Sequence, residues 1–185
     1  MKKNHFYYLS LLFLLYQFAP KTVNAQVTVF VTIQGEKSGI VKGTSMQRGN
    51  QGKIECSGVR FSSTSPVRST STGITAGRAN AGTVTIIKNF DTSSPQLLQS
   101  YYSNEFLKIV TIEFYKGGGG MEPKLIQKIT LTNAVISEIA QYEGVATPDK
   151  SPANNLLEEI SFSFQKIETT YDPAQTNSVV SYEVR

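Results

Sequence analysis

Imidazole and thiol chemistry are nearly absent from this 185-residue chain, which has one histidine, one cysteine and no tryptophan. The histidine is His5, inside a leading segment that reads as removable, so residues 26–185 have no imidazole to act as a general base or metal ligand. Most hydrolase schemes go with it. Cys56 has no second cysteine to pair with inside the chain; it reads as a buried small apolar residue, with an intermolecular disulfide as the lesser reading. Carboxylates are not grouped for catalysis either. Glu158 and Glu159 are adjacent, but neighbours in a strand point to opposite faces, so a solvated strand start is expected there. Asp91, Asp149 and Asp172 each stand beside turn residues, and no spacing resembles a calcium loop. No catalytic, cofactor-binding or metal-ligating residue is assigned. A hydrolase using serine with lysine or glutamate would need a geometry that spacing does not reveal.

Long apolar runs are confined to the start. Lys2 and Lys3, the apolar run Phe6 to Ala19, helix-breaking Pro20 and the short residues Val23-Asn24-Ala25 form the three parts of an export signal, with cleavage expected after Ala25. The run falls short of the roughly 20 residues of a membrane-spanning helix. Of the 18 basic residues, Lys2, Lys3 and Lys21 leave with this segment, so 15 stand against 14 acidic ones and the net charge drops to +1. The remaining Lys and Arg are scattered, which leaves no nucleic-acid footprint. Residues 26–185 make one domain of ordinary size, with no membrane association expected once the signal is gone.

What remains alternates. Val27, Val29, Val31 and Ile33 give a first strand ending at Gly35; a glycine-rich connection follows, then a second strand over Lys53 to Phe61 whose Gly58 predicts a bend or a close neighbour. Ser62 to Gly82 is almost wholly small and hydroxylated and reads as the longest loop, either mobile or docked against something such as another copy of the chain. A third strand follows through GTVTIIKNF. Asp91 to Pro95 then starts a short helix with a hydroxyl N-cap and a first-turn proline, its stripe Leu97, Leu98, Tyr101 and Tyr102, and Ser103-Asn104 its stop. Leu107 to Tyr115 is a fourth strand. The glycines at 117–120 are read as the turn of an antiparallel hairpin into the next strand, and the end of the chain offers a final short strand around Val179 and Val180.

The strongest strand signal lies between Lys124 and Pro173. Ile160, Phe162 and Phe164 alternate with polar residues, but the parity changes at Ile167, which predicts a bulge or corner near Gln165 and Lys166. Its partner has Leu125, Ile129, Leu131, Val135 and Ile139 on one parity and Ile126, Ala134 and Ile136 on the other. Both faces of that strand are therefore expected to be covered, the second by a helix or another subunit. About seven strands and one helix define a mainly β fold: a small antiparallel β-barrel of two sheets with one flanking short α-helix.

Residues 26–185 resemble the haemolysin-coregulated protein (Hcp) family, the tube subunits of bacterial type VI secretion systems. The likeness is collinear: VFVTIQG, then FDTSSPQLLQSYYSNEFLKIVTIEFYK with its Ser-Pro helix start, then IQKITLTNAVISEI and LLEEISFSFQKIETTYDP. The resemblance implies a non-enzymatic homohexameric ring that stacks into a hollow tube able to carry effectors, with secretion-machinery proteins as further partners and no cofactor. It makes the Ser62 to Gly82 excursion, with Val67, Arg68, Ile74 and Arg78, the segment that meets neighbouring rings, and Ile126 and Ile136 the subunit-facing side of the two-faced strand. The rival reading is an exported monomeric binding or adhesion module on the same fold. Export leads to the periplasm or beyond; translation from a start near Val27 would leave assembly in the cytoplasm.

Overall fold

The computed structural model describes residues 26–64, 67–70, 73–76, 82–118, 121–143, 156–174 and 176–181; at 67–70, 73–76, 118, 121, 143, 174 and 181 only the backbone path is described. The leading segment 1–25 and Arg78 lie outside the described residues. In chain order the elements are β1 (Gln26–Gly35), β2 (Ile40–Val41), β3 (Ile54–Ser62), β4 (Val67–Thr70), β5 (Gly73–Ala76), β6 (Thr83–Asn89), α1 (Ser94–Tyr102), β7 (Leu107–Gly118), β8 (Met121–Glu143), β9 (Leu156–Tyr171) and β10 (Thr176–Ser181).

An antiparallel ladder runs β9–β6–β3–β1–β7–β8 and closes where β8 pairs again with β9, giving a six-strand barrel. Closure removes the free sheet edges that a strand set of this size would otherwise expose. β2 adds to the end of β1, and β10 lies along the second half of β9. The alternation read from the sequence fills the interior: Val29, Val31 and Ile33 from β1 meet Ile54, Val84, Ile86, Val110, Ile112, Ile160 and Phe162 in one core cluster. Leu97 joins that cluster and ties α1 to the barrel. Phe30, on the opposite parity of β1, is also only 1% exposed. Its cover is a satellite of the outer face, Tyr115 edge-on at 5.7 Å. An ion pair between Lys53 and Glu113 stands beside it, since Glu113 is the β7 residue paired with Phe30.

The glycine-rich connection after β2 is folded tightly. The Gly43 amide donates to the Gly52 carbonyl at 2.9 Å and the Gly52 amide to the Ser45 carbonyl at 2.9 Å. Gly49 and Gly52 have φ of +81° and +73°, which side-chain-bearing residues avoid. The bend expected at Gly58 is a register shift in the β3–β6 ladder between Cys56 and Gly58. The antiparallel hairpin expected around the glycines is present, with β7 running through Gly117 and Gly118 and Gly118 paired to Met121; residues 119–120 lie outside the described residues. Two expectations change. The Ser62 to Gly82 excursion contains a two-stranded ladder, β4 with β5, where its composition predicts a loop; threonine supplies the β preference and Gly73 opens the second strand. The helix does begin at Ser94, but its N-cap Ser93 makes no side-chain cap; Asp91 Oδ1 instead accepts the Ser93 amide at 2.9 Å and the Ser93 hydroxyl at 2.5 Å.

The parity change in β9 is a corner. The β8–β9 register is continuous from Thr132↔Lys166 to Ala134↔Phe164, so no residue is inserted there. Between those rungs Asn133 takes φ of +50° and its Nδ2 donates to Gln165 Oε1 at 2.8 Å. Both strands change phase on the same rung. A bulge between Ile136 and Glu138 then shifts β8 once more. Ile129 and Leu131, then Ala134 and Ile136, are therefore buried on a single core face, and the reading of β8 as apolar on both sides is corrected: the two parities are one face interrupted twice.

Candidate assembly surfaces

The described residues among those singled out as subunit-facing fall on three strands. Val67 and Arg68 lie on β4 and Ile74 on β5, in a hairpin whose ladder is separate from the barrel; Arg68 pairs with Thr75, and Ile74 with Ser69. Ile126 and Ile136 share β8 but differ in setting. Ile126 is the half-buried extra residue at a β7–β8 bulge, where Phe114 pairs with Gln127 and Tyr115 with Leu125. Ile136 is 8% exposed in the single chain, within the core cluster and opposite Phe162.

The outer surface shows a groove the sequence reading did not find, with a volume of about 710 Å³, lined by Phe106, Lys108, Glu36, Asn133, Val135 and Phe164 at the β8–β9 corner. Phe106 is 58% exposed, and Tyr102 at the end of α1 is 77% exposed. An apolar residue at a helix exit has no periodic neighbours to mark it, which is why Phe106 carried no signal. A polar band crosses β3, β6 and β9: Thr85 Oγ1 meets Ser161 Oγ at 2.9 Å, and Glu159 accepts from Arg60 at 3.1 Å and from the Tyr142 hydroxyl at 3.0 Å. The hydrogen bond to Glu159 holds the exposed Tyr142 phenol above its ordinary pKa.

Behind these surfaces lies a buried ionic knot. Lys88 is 0% and Glu158 1% exposed. Lys88 Nζ lies 2.8 Å from Glu158 Oε2, 2.9 Å from Asp91 Oδ1, 2.9 Å from Ser94 Oγ and 2.8 Å from the Asn89 carbonyl. Ser94 Oγ also donates to Glu158 Oε2, and Gln141 Nε2 donates to Glu158 Oε1 at 2.6 Å. The solvated strand start expected at Glu158 is thus corrected. Glu158 turns inward against Lys88, its rung partner, while Glu159 faces out. Burial is the largest influence on the Asp91 carboxyl and pushes its pKa up; the Ser93 and Lys88 hydrogen bonds and the Lys88 charge outweigh it and hold the group below its ordinary range. Burial pushes the neighbouring Cys56 thiol up to about 12, against the pull of Lys88 and with Asp91 and Glu55 adding to the rise. That thiol is a core group rather than a reactive one.

Serine and lysine do meet at Ser94 and Lys88, but the arrangement opposes nucleophilic chemistry. The ammonium is neutralised by two carboxylates and donates to the hydroxyl instead of receiving its proton, and Ser94 itself is buried. The knot's physical effect is to seat the start of α1 on β6 and β9.

Glu105 fixes the other end of the helix. Its Oε1 accepts the amides of Lys37 and Ser38 at 2.7 Å each and the Ser38 hydroxyl at 2.9 Å, while Oε2 accepts the Ser100 hydroxyl at 3.0 Å. A Cβ at Gly35 would collide with this carboxylate and with the Ser38 hydroxyl, so a side chain there would displace their contact. Burial pushes the Glu105 carboxyl up, but the Ser38 and Lys37 amides and the two hydroxyls more than offset that, leaving its pKa below the usual 4.5. A carboxyl with a depressed folded pKa adds stability that is complete above its unfolded pKa and is lost as pH falls through the folded one. Denaturant midpoints should therefore be level between pH 4.5 and neutrality and fall below pH 4.5, and Glu105→Gln should flatten that acid decline while lowering the plateau. An unchanged acid slope in the variant would remove Glu105 from the account.

The chain thus combines a closed antiparallel barrel, one flanking helix, a separate two-stranded ladder and two exposed aromatic side chains, Tyr102 and Phe106, at the helix exit. The family model for the type VI secretion system effector Hcp matches residues 30–171, and the chain belongs to that family. The curated Major exported protein of Pseudomonas aeruginosa is 25% identical over 157 residues, 80% of this chain and 91% of that one. Among solved structures, an Hcp protein crystal structure aligns with TM-score 0.78 at 18% identity, over 86% of this chain and all of that one. The secreted protein Hcp3 from Pseudomonas aeruginosa aligns with TM-score 0.68 at 21% identity, over 86% of this chain and all of that one.

Proposed function

We propose that this chain is a non-enzymatic, exported structural subunit that forms homohexameric rings, stacks them into a hollow tube and carries effectors in type VI secretion. The observation that carries this reading is the family match over residues 30–171, which runs from Phe30 within β1 to Tyr171 at the end of β9 and so takes in nearly all of the closed barrel. The detached β4–β5 hairpin supplies an element for contact between rings, and the groove beside Phe106 supplies an apolar face for lateral contact between subunits. Export rests on the signal pattern of residues 1–25.

Light scattering on purified protein over a wide concentration range tests it. The expected mass is that of a hexamer, rising further where rings stack. A strictly monomeric protein at high concentration would reject the ring and favour a monomeric binding module on the same barrel.

A further inference from the structure

The residue expected to begin the exported chain lies in a barrel strand, β1. Val23-Asn24-Ala25 places cleavage before Gln26, and β1 opens at Gln26, paired with Gly117 of β7. Gln26 is exposed, and among the described residues its carboxamide has no hydrogen-bond partner. It stands on the rim of an open polar pocket with Thr28, Glu55 and Asn89, so water and a modifying enzyme both reach it. The adjoining rungs are basic: Val27 pairs with Lys116, and Lys116 with Lys124, both lysines exposed. A free α-ammonium on Gln26 would add a third positive charge to that end of the sheet.

We propose that Gln26 of the exported chain is converted to pyroglutamate; this rests on cleavage after Ala25. The α-amine of a newly exposed glutamine is held next to its own side-chain carboxamide, and its ordinary pKa near 8 leaves a reactive neutral fraction at neutral pH. The α-nitrogen attacks Cδ and a five-membered lactam C–N bond forms. The Cδ–Nε2 bond breaks, and Nε2 leaves as ammonia with the proton shed by the α-nitrogen. No electron is transferred and no co-reactant is consumed. The product is an uncharged terminus, which relieves like-charge repulsion against Lys116 and Lys124 and blocks attack by aminopeptidases.

The test is intact mass and N-terminal sequencing of protein purified from the exported fraction of cells expressing the full chain. The expected mass is that of residues 26–185 less one ammonia, about 17 Da, the shift that marks loss of the terminal amine. Sequencing should be blocked, and digestion with pyroglutamyl aminopeptidase should open the chain at Val27. A chain beginning with free Gln26 overturns the modification and leaves the cleavage standing. A chain starting anywhere else, Met1 included, overturns both. Gln26→Ala, expected to melt like the parent, should begin with an unblocked alanine and show no ammonia loss; a loss that persists in this variant lies elsewhere in the chain and overturns the assignment.

Discussion

Replacing Lys88 with alanine should cost the fold about 3–5 kcal/mol, the scale for removing one partner of a buried ion pair and leaving its counter-charge stranded. Two carboxylates would be stranded at once, since Glu158 Oε2 and Asp91 Oδ1 both lie within 2.9 Å of the ammonium. Against a total stability of about 5–15 kcal/mol this is a large share of the whole. Ser94 and Gln141 would still hydrogen-bond Glu158, so the loss should fall short of complete unfolding at neutral pH. Glu158→Gln should be milder, because an amide keeps the shape and removes the charge. Urea melts of the two single variants and the double variant close a cycle, and a coupling energy near zero would show that the knot is not one energetic unit. Since Ser94 is the first residue of α1, partial loss should appear first as a loosened helix, visible as early amide exchange there.

This knot was more legible in the sequence than a charge count suggests. Val84, Ile86 and Lys88 share one parity, and so do Glu158, Ile160, Phe162 and Phe164. Each charge stands one step beyond an alternating apolar row, on the row's own face, and the two have opposite sign. The register pairs Val84 with Phe162, Ile86 with Ile160 and Lys88 with Glu158, so the pattern names the contact once the two strands are known to be neighbours. What one sequence does not say is that β6 and β9 are neighbours, because that pairing joins elements 70 residues apart. The local signals fared better. The helix and most strand bounds followed from period and turn chemistry, as did the corner at Gln165. The β4–β5 ladder was lost because serine, threonine and glycine predict loop on composition, whatever the backbone then does. Glu105 was missed for a different reason: its partners are the amides of Lys37 and Ser38, and a backbone donor has no residue type to announce it.

Ile136→Glu should abolish folding of the single chain, whereas Ile126→Glu should leave it folded. The two residues look equivalent in the sequence, on the same strand and the same parity. The structure separates them through the phase changes of β8. Ile136 follows the Asn133 corner, which turns its parity inward against Phe162, and the bulge after it returns the strand to the other phase at Ile139. A carboxylate there would be buried among the apolar residues of the core cluster, so it must be buried charged or protonated, a cost of several kcal/mol either way. Ile126 precedes the corner and sits half-buried at a bulge, where a charged side chain can reach water, and the expected change is about 0.5 kcal/mol. Because an unfolded variant reports little by itself, Ile136→Ala gives the graded measurement, with an expected loss of about 2–5 kcal/mol. Circular-dichroism melts follow folding, and light scattering on whatever remains folded follows assembly. If Ile126→Glu melts like the parent but no longer forms the parent's oligomer, Ile126 is a subunit contact. If instead Ile136→Glu melts like the parent, the corner at Asn133 does not turn β8 inward, and the core placement of Ala134 and Ile136 fails with it.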